Sequence, residues 1–180
     1  MDSTPLLRYL LFGLLTRDTI LPVAGKPQID IPGGSLFYAA AGLRLWGNSC
    51  GLVGRVGEDY PQEWLTQFDR FGLDRCGIRT LPEAVDLRAF FAYLDEHTCQ
   101  RDNPVLHFAR LGEPFPKSLL GYASPVFQLD SRTQPGILSL RMTDIPQDYL
   151  DATAAHLCPM DFISHNLIPP ALRRGQVTTI

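Results

Sequence analysis

The apolar positions fall into short continuous runs separated by helix-spaced stripes. Arg8–Leu14, inside LLRYLLFGLL, is a continuous apolar run ending near Gly13. That pattern predicts a strand covered on both faces. Thr19–Pro32 (TILPVAGKPQIDIP) carries three prolines and apolar Ile20, Val23, Ile29 and Ile31, which predicts short edge strands and turns. Gly33-Gly34 then opens a helix over Ser35–Trp46, with Ser35 as N-cap and Gly47 at C′. Its residues are apolar nearly all round, so it is expected to be buried on most faces. Cys50–Val56 (CGLVGRV) reads as a second buried strand. Asp59 is expected to cap a helix with Pro61 in its first turn and Gln62 at the capping-box position. Trp64, Leu65, Phe68 and Phe71 form its apolar stripe, and Gly72 stops it.

Leu87–Leu94 is an aromatic-rich strand candidate, whereas residues 103–134 show apolar patches broken by prolines and support no single assignment. Further on, the pattern predicts a strand at Ile137–Leu140, a helix over Pro146–Leu157, a strand at Asp161–Ser164 and a helical turn at Pro170–Arg174. Val177–Ile180 (VTTI) opens another strand. Strands alternating with helices argue an α/β fold with a mostly parallel sheet. The sequence stops inside that pattern, which predicts a chain incomplete at the C-terminus, with an uncovered sheet edge and poor solubility in isolation.

Composition narrows the classes. The chain has 180 residues, 45% apolar and 19% charged. That suits one globular domain and excludes wholesale disorder. A net charge of −3 without like-charge runs offers no electrostatic footprint for nucleic acid or anionic lipid. Arg8 interrupts the first apolar run, Asp2 precedes it, and it is too short to span a bilayer. Cys50, Cys76, Cys99 and Cys158 form no CxxC pair, and His97, His107, His156 and His165 show no HxxxH or HExxH spacing. No metal site is expected; four separate, mostly buried reduced thiols suit a cytoplasmic protein.

The most specific stretch is Pro32–Asp59, PGGSLFYAAAGLRLWGNSCGLVGRVGED. It resembles the N-terminal half of the ribokinase (PfkB) family of sugar and nucleoside kinases. Gly33-Gly34, Trp46-Gly47 and Gly57-Glu58-Asp59 fall where that family has a helix-opening Gly-Gly pair, a Leu-Gly-like step and a Gly-Asp-Asp-like turn. Upstream, Gly13 with Asp18 five residues later matches the family's first strand. Downstream, Phe71-Gly72-Leu73-Asp74 and Gly77-Ile78 match its "G-V-D…G-I" step. The likeness is good from Leu6 to about Ile78 and looser from Leu87 to Ile180.

The resemblance implies a ribokinase-like three-layer αβα fold. Residues 1–180 would form the N-terminal part of a single domain, with a small β lid from strands at about 19–32 and 87–94. It implies that Asp18 accepts hydrogen bonds from sugar hydroxyls, two carboxylate oxygens suiting a vicinal diol. Gly33 and Gly34 let backbone approach the sugar and hinge the lid. The plainer readings are a turn cap for Asp18 and a helix-opening turn for the glycines. The family's sugar-contacting Asn falls on Tyr38, which either stacks on a sugar or base, narrows the pocket, or marks a degenerate site. His165 and Asn166, placed after the strand expected at Asp161–Ser164, are cleft candidates or a hydrogen-bonded loop pair.

By the same resemblance, the intact protein phosphorylates a hydroxymethyl group of a sugar or nucleoside with ATP and Mg²⁺, and pairs as a homodimer through the lid. Its Gly-Ala-Gly-Asp-type catalytic motif is absent here, as is GxxxxGK[ST]. No residue of this chain is therefore assigned as catalytic, and the chain alone is expected to be inactive. The alternative is a non-catalytic polyol-binding or dimerising paralogue, or a pseudokinase.

Overall fold

The computed structural model describes residues 7–47, 49–124 and 132–180. In chain order they form β1 (Tyr9–Phe12), β2 (Thr16–Leu21), β3 (Gln28–Gly33), α1 (Ser35–Arg44), β4 (Cys50–Val56), α2 (Gln62–Arg70), β5 (Asp74–Thr80), β6 (Arg88–Tyr93), β7 (Cys99–Gln100), α3 (Pro104–Leu111), β8 (Ala154–Leu157) and α4 (Phe162–Leu172). Short 3₁₀ turns lie at Lys117–Leu119, Met142–Asp144 and Gln147–Asp151. The described residues divide into two compact units. One lies within Met1–Leu15, Gly34–Val85 and Gln128–Ile180, the other within Thr16–Gly33 and Asp86–Phe127.

The first unit is built on a sheet of order β5-β4-β1-β8, parallel at every pairing. All seven residues of β4, the charged Arg55 among them, are buried, as in a strand covered on both sides. Leu10, Phe12 and Val53 pack with Tyr149, Ile168 and Leu172 on one face. Residues of the alternate parity, such as Gly54, face the other way. A Cβ on Gly54 would come 2.9 Å from Leu36 of α1, so α1 covers that second face. Tyr149 is 1% exposed. Its hydroxyl donates to Asp74 Oδ1 (2.8 Å) and accepts from the Gly77 N–H (3.3 Å). A Cβ at Gly51 would stand 2.8 Å from its ring, so the glycine in CGLVGRV makes room for that tyrosine.

Several expectations fail for tertiary reasons. The helix expected over Pro146–Leu157 is a 3₁₀ turn followed by β8, because Ala154–Leu157 pairs residue for residue with Tyr9–Phe12. The strand expected at Asp161–Ser164 is the start of α4. Asp161 is its N-cap, and its carboxylate accepts the Ser164 N–H (3.0 Å) and O–H (2.6 Å). The helical turn expected at Pro170–Arg174 belongs to the end of that helix. Ile137–Leu140 forms turns and coil. Val177–Ile180 contributes one bridge, Thr179 to Ala154. Asp59 does not cap α2; its carboxylate accepts the Val85 N–H (2.9 Å), and Pro61 is the N-cap. Nor is α1 buried on most faces: only Leu36 and Ala40 are buried, and Leu45 and Trp46 beyond its end are 85% and 88% exposed. Cys50 and Cys158 are buried, but Cys76 and Cys99 are exposed, and all four thiols are free.

The second unit is a sheet of order β3-β2-β6-β7. β2 runs antiparallel to β3 and parallel to β6, and β6 runs antiparallel to β7. Leu21, Phe90 and Ala92 form a cluster with Phe108 of α3 and Leu119. In the stretch left without assignment, α3 begins with a proline at the first helical position, where its missing N–H costs nothing. It stops at Gly112 in the left-handed region (φ 67°). Residues 125–131 of that stretch lie outside the described residues.

Candidate functional site

Asp18 projects from the middle of β2 and is 2% exposed. It pairs across the sheet with Ile31, and Thr16 with Gly33. The Thr16 hydroxyl donates to Asp18 Oδ1 (2.5 Å). The Asp18 carboxyl lies directly against Gly33, and any Cβ there would overlap it. Gly33 is therefore a glycine because a carboxylate occupies the space of its side chain.

The hairpin behind this pair is clamped. The Arg17 guanidinium donates through Nε (2.9 Å) and Nη2 (2.8 Å) to the two oxygens of Asp30, the forked geometry that fixes orientation as well as distance. Asp30 itself adopts φ 54°, and the register shifts between Asp18 and Ile20. A positive φ at a non-glycine residue beside a register shift holds local strain. Sequence reading missed Arg17 and Asp30, although both lie within a few residues of the positions it singled out. Nearby, Arg88 forks onto Asp86 and donates through Nη1 to the Ser118 and Leu120 carbonyls. The Arg88 hydrogen bond holds the Asp86 carboxyl below its ordinary range, outweighing burial.

In the other unit, Gly34 precedes α1 with φ 96° and ψ 160°, a region essentially reserved for glycine. Ser35 is the first helical residue, not the N-cap, and its hydroxyl accepts the Leu14 N–H (3.2 Å). Tyr38 stands one turn into the helix and is 52% exposed, with its ring edge-on to Phe37. Thus Asp18 and Gly33 touch each other, while Gly34 and Tyr38 share the opening turn of α1.

His165 and Asn166 do not follow a strand. Both lie exposed in the first half of α4, where their polar atoms serve local structure. His165 Nε2 accepts the Met160 N–H (3.2 Å), and Asn166 Nδ2 donates to the Phe162 carbonyl (2.7 Å).

The parallel sheet flanked by helices and the carboxylate-bearing β unit define a ribokinase-like α/β fold. No protein-family model matches the chain. It is 32% identical over 77 residues to a cytidine kinase from Thermococcus kodakarensis, covering 43% of this chain and 27% of that protein. An uncharacterized sugar kinase from Pyrococcus horikoshii has a similar structure, with a TM-score of 0.61 at 16% identity over 95% of this chain and 51% of that one. So does a putative ribokinase II from E. coli in complex with ATP and Mg²⁺, with a TM-score of 0.59 at 15% identity over 97% of this chain and 52% of that one. The chain therefore has the fold of the ribokinase (PfkB) family and spans about half the length of these two structures. The resemblance read from the sequence holds at the level of the fold.

Among the described residues there is no donor set for the family's Mg²⁺: no three His, Cys, Asp or Glu side chains converge. The sequence holds neither phosphate-binding motif. No helix among the described residues is long and apolar enough to cross a membrane.

Proposed function

We propose that this chain carries the acceptor-binding half of a kinase that phosphorylates a hydroxymethyl group of a sugar or nucleoside. The observation that carries the reading is the buried Asp18 carboxylate pressed against the side-chain-free backbone of Gly33. An ionised carboxylate in a dry site is the stronger hydrogen-bond acceptor for vicinal hydroxyls. The family resemblance assigns Gly34 and Tyr38 to acceptor binding as well. The exposed Tyr38 ring in place of a small amide favours an acceptor with a stackable base, in keeping with the cytidine kinase among the relatives. The general base and phosphate cradle are assigned to no residue of this chain, so it binds acceptor without transferring phosphate. Apolar Ile20, Ile29, Ile31 and Phe91 in the same sheet support pairing through this unit as the oligomeric reading.

The test is calorimetric titration of the chain with cytidine, ribose and a deoxyribonucleoside. Binding of a nucleoside that weakens at least about tenfold in Asp18→Asn supports the reading, provided that the variant keeps its circular dichroism. Equal binding by Asp18→Asn, or no binding of any polyol, removes it. Phosphoryl transfer by this chain alone with ATP and Mg²⁺ would refute the division of labour.

A further inference from the structure

The second unit holds a cavity of ≈190 Å³ where α3 packs on the ends of β2 and β6. Leu21, Ala92 and Leu111 supply apolar walls, and Tyr93, His107 and Arg110 are the polar-headed side chains in its lining. His107 is only 4% exposed. Its ring lies tilted against Phe90, with centroids 5.7 Å apart. No hydrogen bond to its imidazole is made among the described residues. Ser118 Oγ is the sealed, unpartnered side-chain atom among them, so the imidazole nitrogens are not sealed, and His107 lines the cavity. Arg110, one turn along the same helix and exposed at the rim, likewise has no ion pair among the described residues. Among the described residues no carboxylate lines the cavity to neutralise it.

A buried imidazole normally finds a partner, because an unmet polar group in an apolar setting is costly. A ligand in the cavity would supply such a partner to His107. The guanidinium beside it specifies an anion, and forked donors suit a carboxylate. The apolar walls specify a hydrocarbon body. The size fits as well, since an apolar cavity of about 150 Å³ holds one benzene ring. From these residues we infer a binding site for a small apolar monocarboxylate of benzoate size. Its ring would lie among Leu21, Ala92 and Leu111, and its carboxylate between His107 and Arg110. The site is independent of the acceptor reading of Asp18.

The test is NMR titration of the labelled full chain with benzoate and with benzamide, its neutral isostere. The readouts are the His107 ring and the Ala92 methyl. Benzoate is expected to shift both saturably. Arg110→Gln, which loses no ion pair among the described residues, is expected to weaken binding by about tenfold or more. Benzamide binding as tightly as benzoate would overturn the anion assignment. No shift at His107 and Ala92, or unchanged affinity in Arg110→Gln, would overturn the site.

Discussion

Removing Asp144 tests how the first unit is held together. Its side chain is fully buried and that of Arg55 is 5% exposed. Arg55 donates to Asp144 through Nε (2.8 Å) and Nη2 (3.0 Å), and through Nη1 to the Ile137 carbonyl (3.1 Å). Asp144 also accepts the Arg141 N–H (2.7 Å), and Arg79 approaches it at 3.8 Å. This cluster ties the irregular segment around 137–144 to the central strand β4. Asp144→Ala leaves the Arg55 guanidinium buried without a counter-charge, and breaking one partner of such a pair costs about 3–5 kcal/mol. With a urea slope of about 2 kcal/mol/M, the midpoint should fall by about 1.5–2.5 M. Both tryptophans, Trp46 and Trp64, belong to this unit, so tryptophan fluorescence follows its unfolding. The double variant Arg55→Met/Asp144→Leu should cost less than Asp144→Ala alone, because it removes both charges and keeps apolar volume. A loss below about 1 kcal/mol in Asp144→Ala, or a double variant worse than the single, would refute the argument that the stranded charge dominates.

Gly33→Ala should lower stability by about 1–3 kcal/mol through overlap with the Asp18 carboxyl, and Asp18→Ser in the same chain should recover part of the loss; thermal melts of the three variants decide this. Gly34→Ala should cost about 1–3 kcal/mol because its backbone region is closed to other residues, measurable by the same melts. For Asp161, burial raises the carboxyl, but the Ser164 O–H and N–H outweigh it and hold the group below its ordinary value. A depressed folded pKa contributes stability above the unfolded value of about 3.9, lost as pH falls through the folded one. Asp161→Asn should therefore flatten the acid limb of a pH–stability curve, and an unchanged limb would count against the cap. Tyr38→Ala should weaken nucleoside binding more than ribose binding by calorimetry; equal loss for both would remove the stacking role.

How much was legible beforehand follows from where each signal resides. The apolar residues of β1 and β4 announce a sheet covered on both faces, and the bounds Cys50–Val56 hold despite Arg55 because every residue in the strand is buried. The Gly33-Gly34 pair and Asp18 were visible as sequence features. Their contact was not, because it depends on the pairing of Thr16 with Gly33 across the hairpin. The Arg17–Asp30 fork and the Arg55–Asp144 pair, 13 and 89 residues apart, leave no periodic trace. Ala154–Leu157 reads as helix by composition and becomes a strand because β1 offers it an edge. Asp161–Ser164 reads as a strand and becomes a helix start because Asp161 caps it. Local patterning thus determined the fold class and the residues with chemistry to offer. Tertiary structure decided which carboxylates are buried, which glycines they require, and which short apolar segments are strands, because backbone hydrogen bonds and buried charges are satisfied by partners distant in sequence.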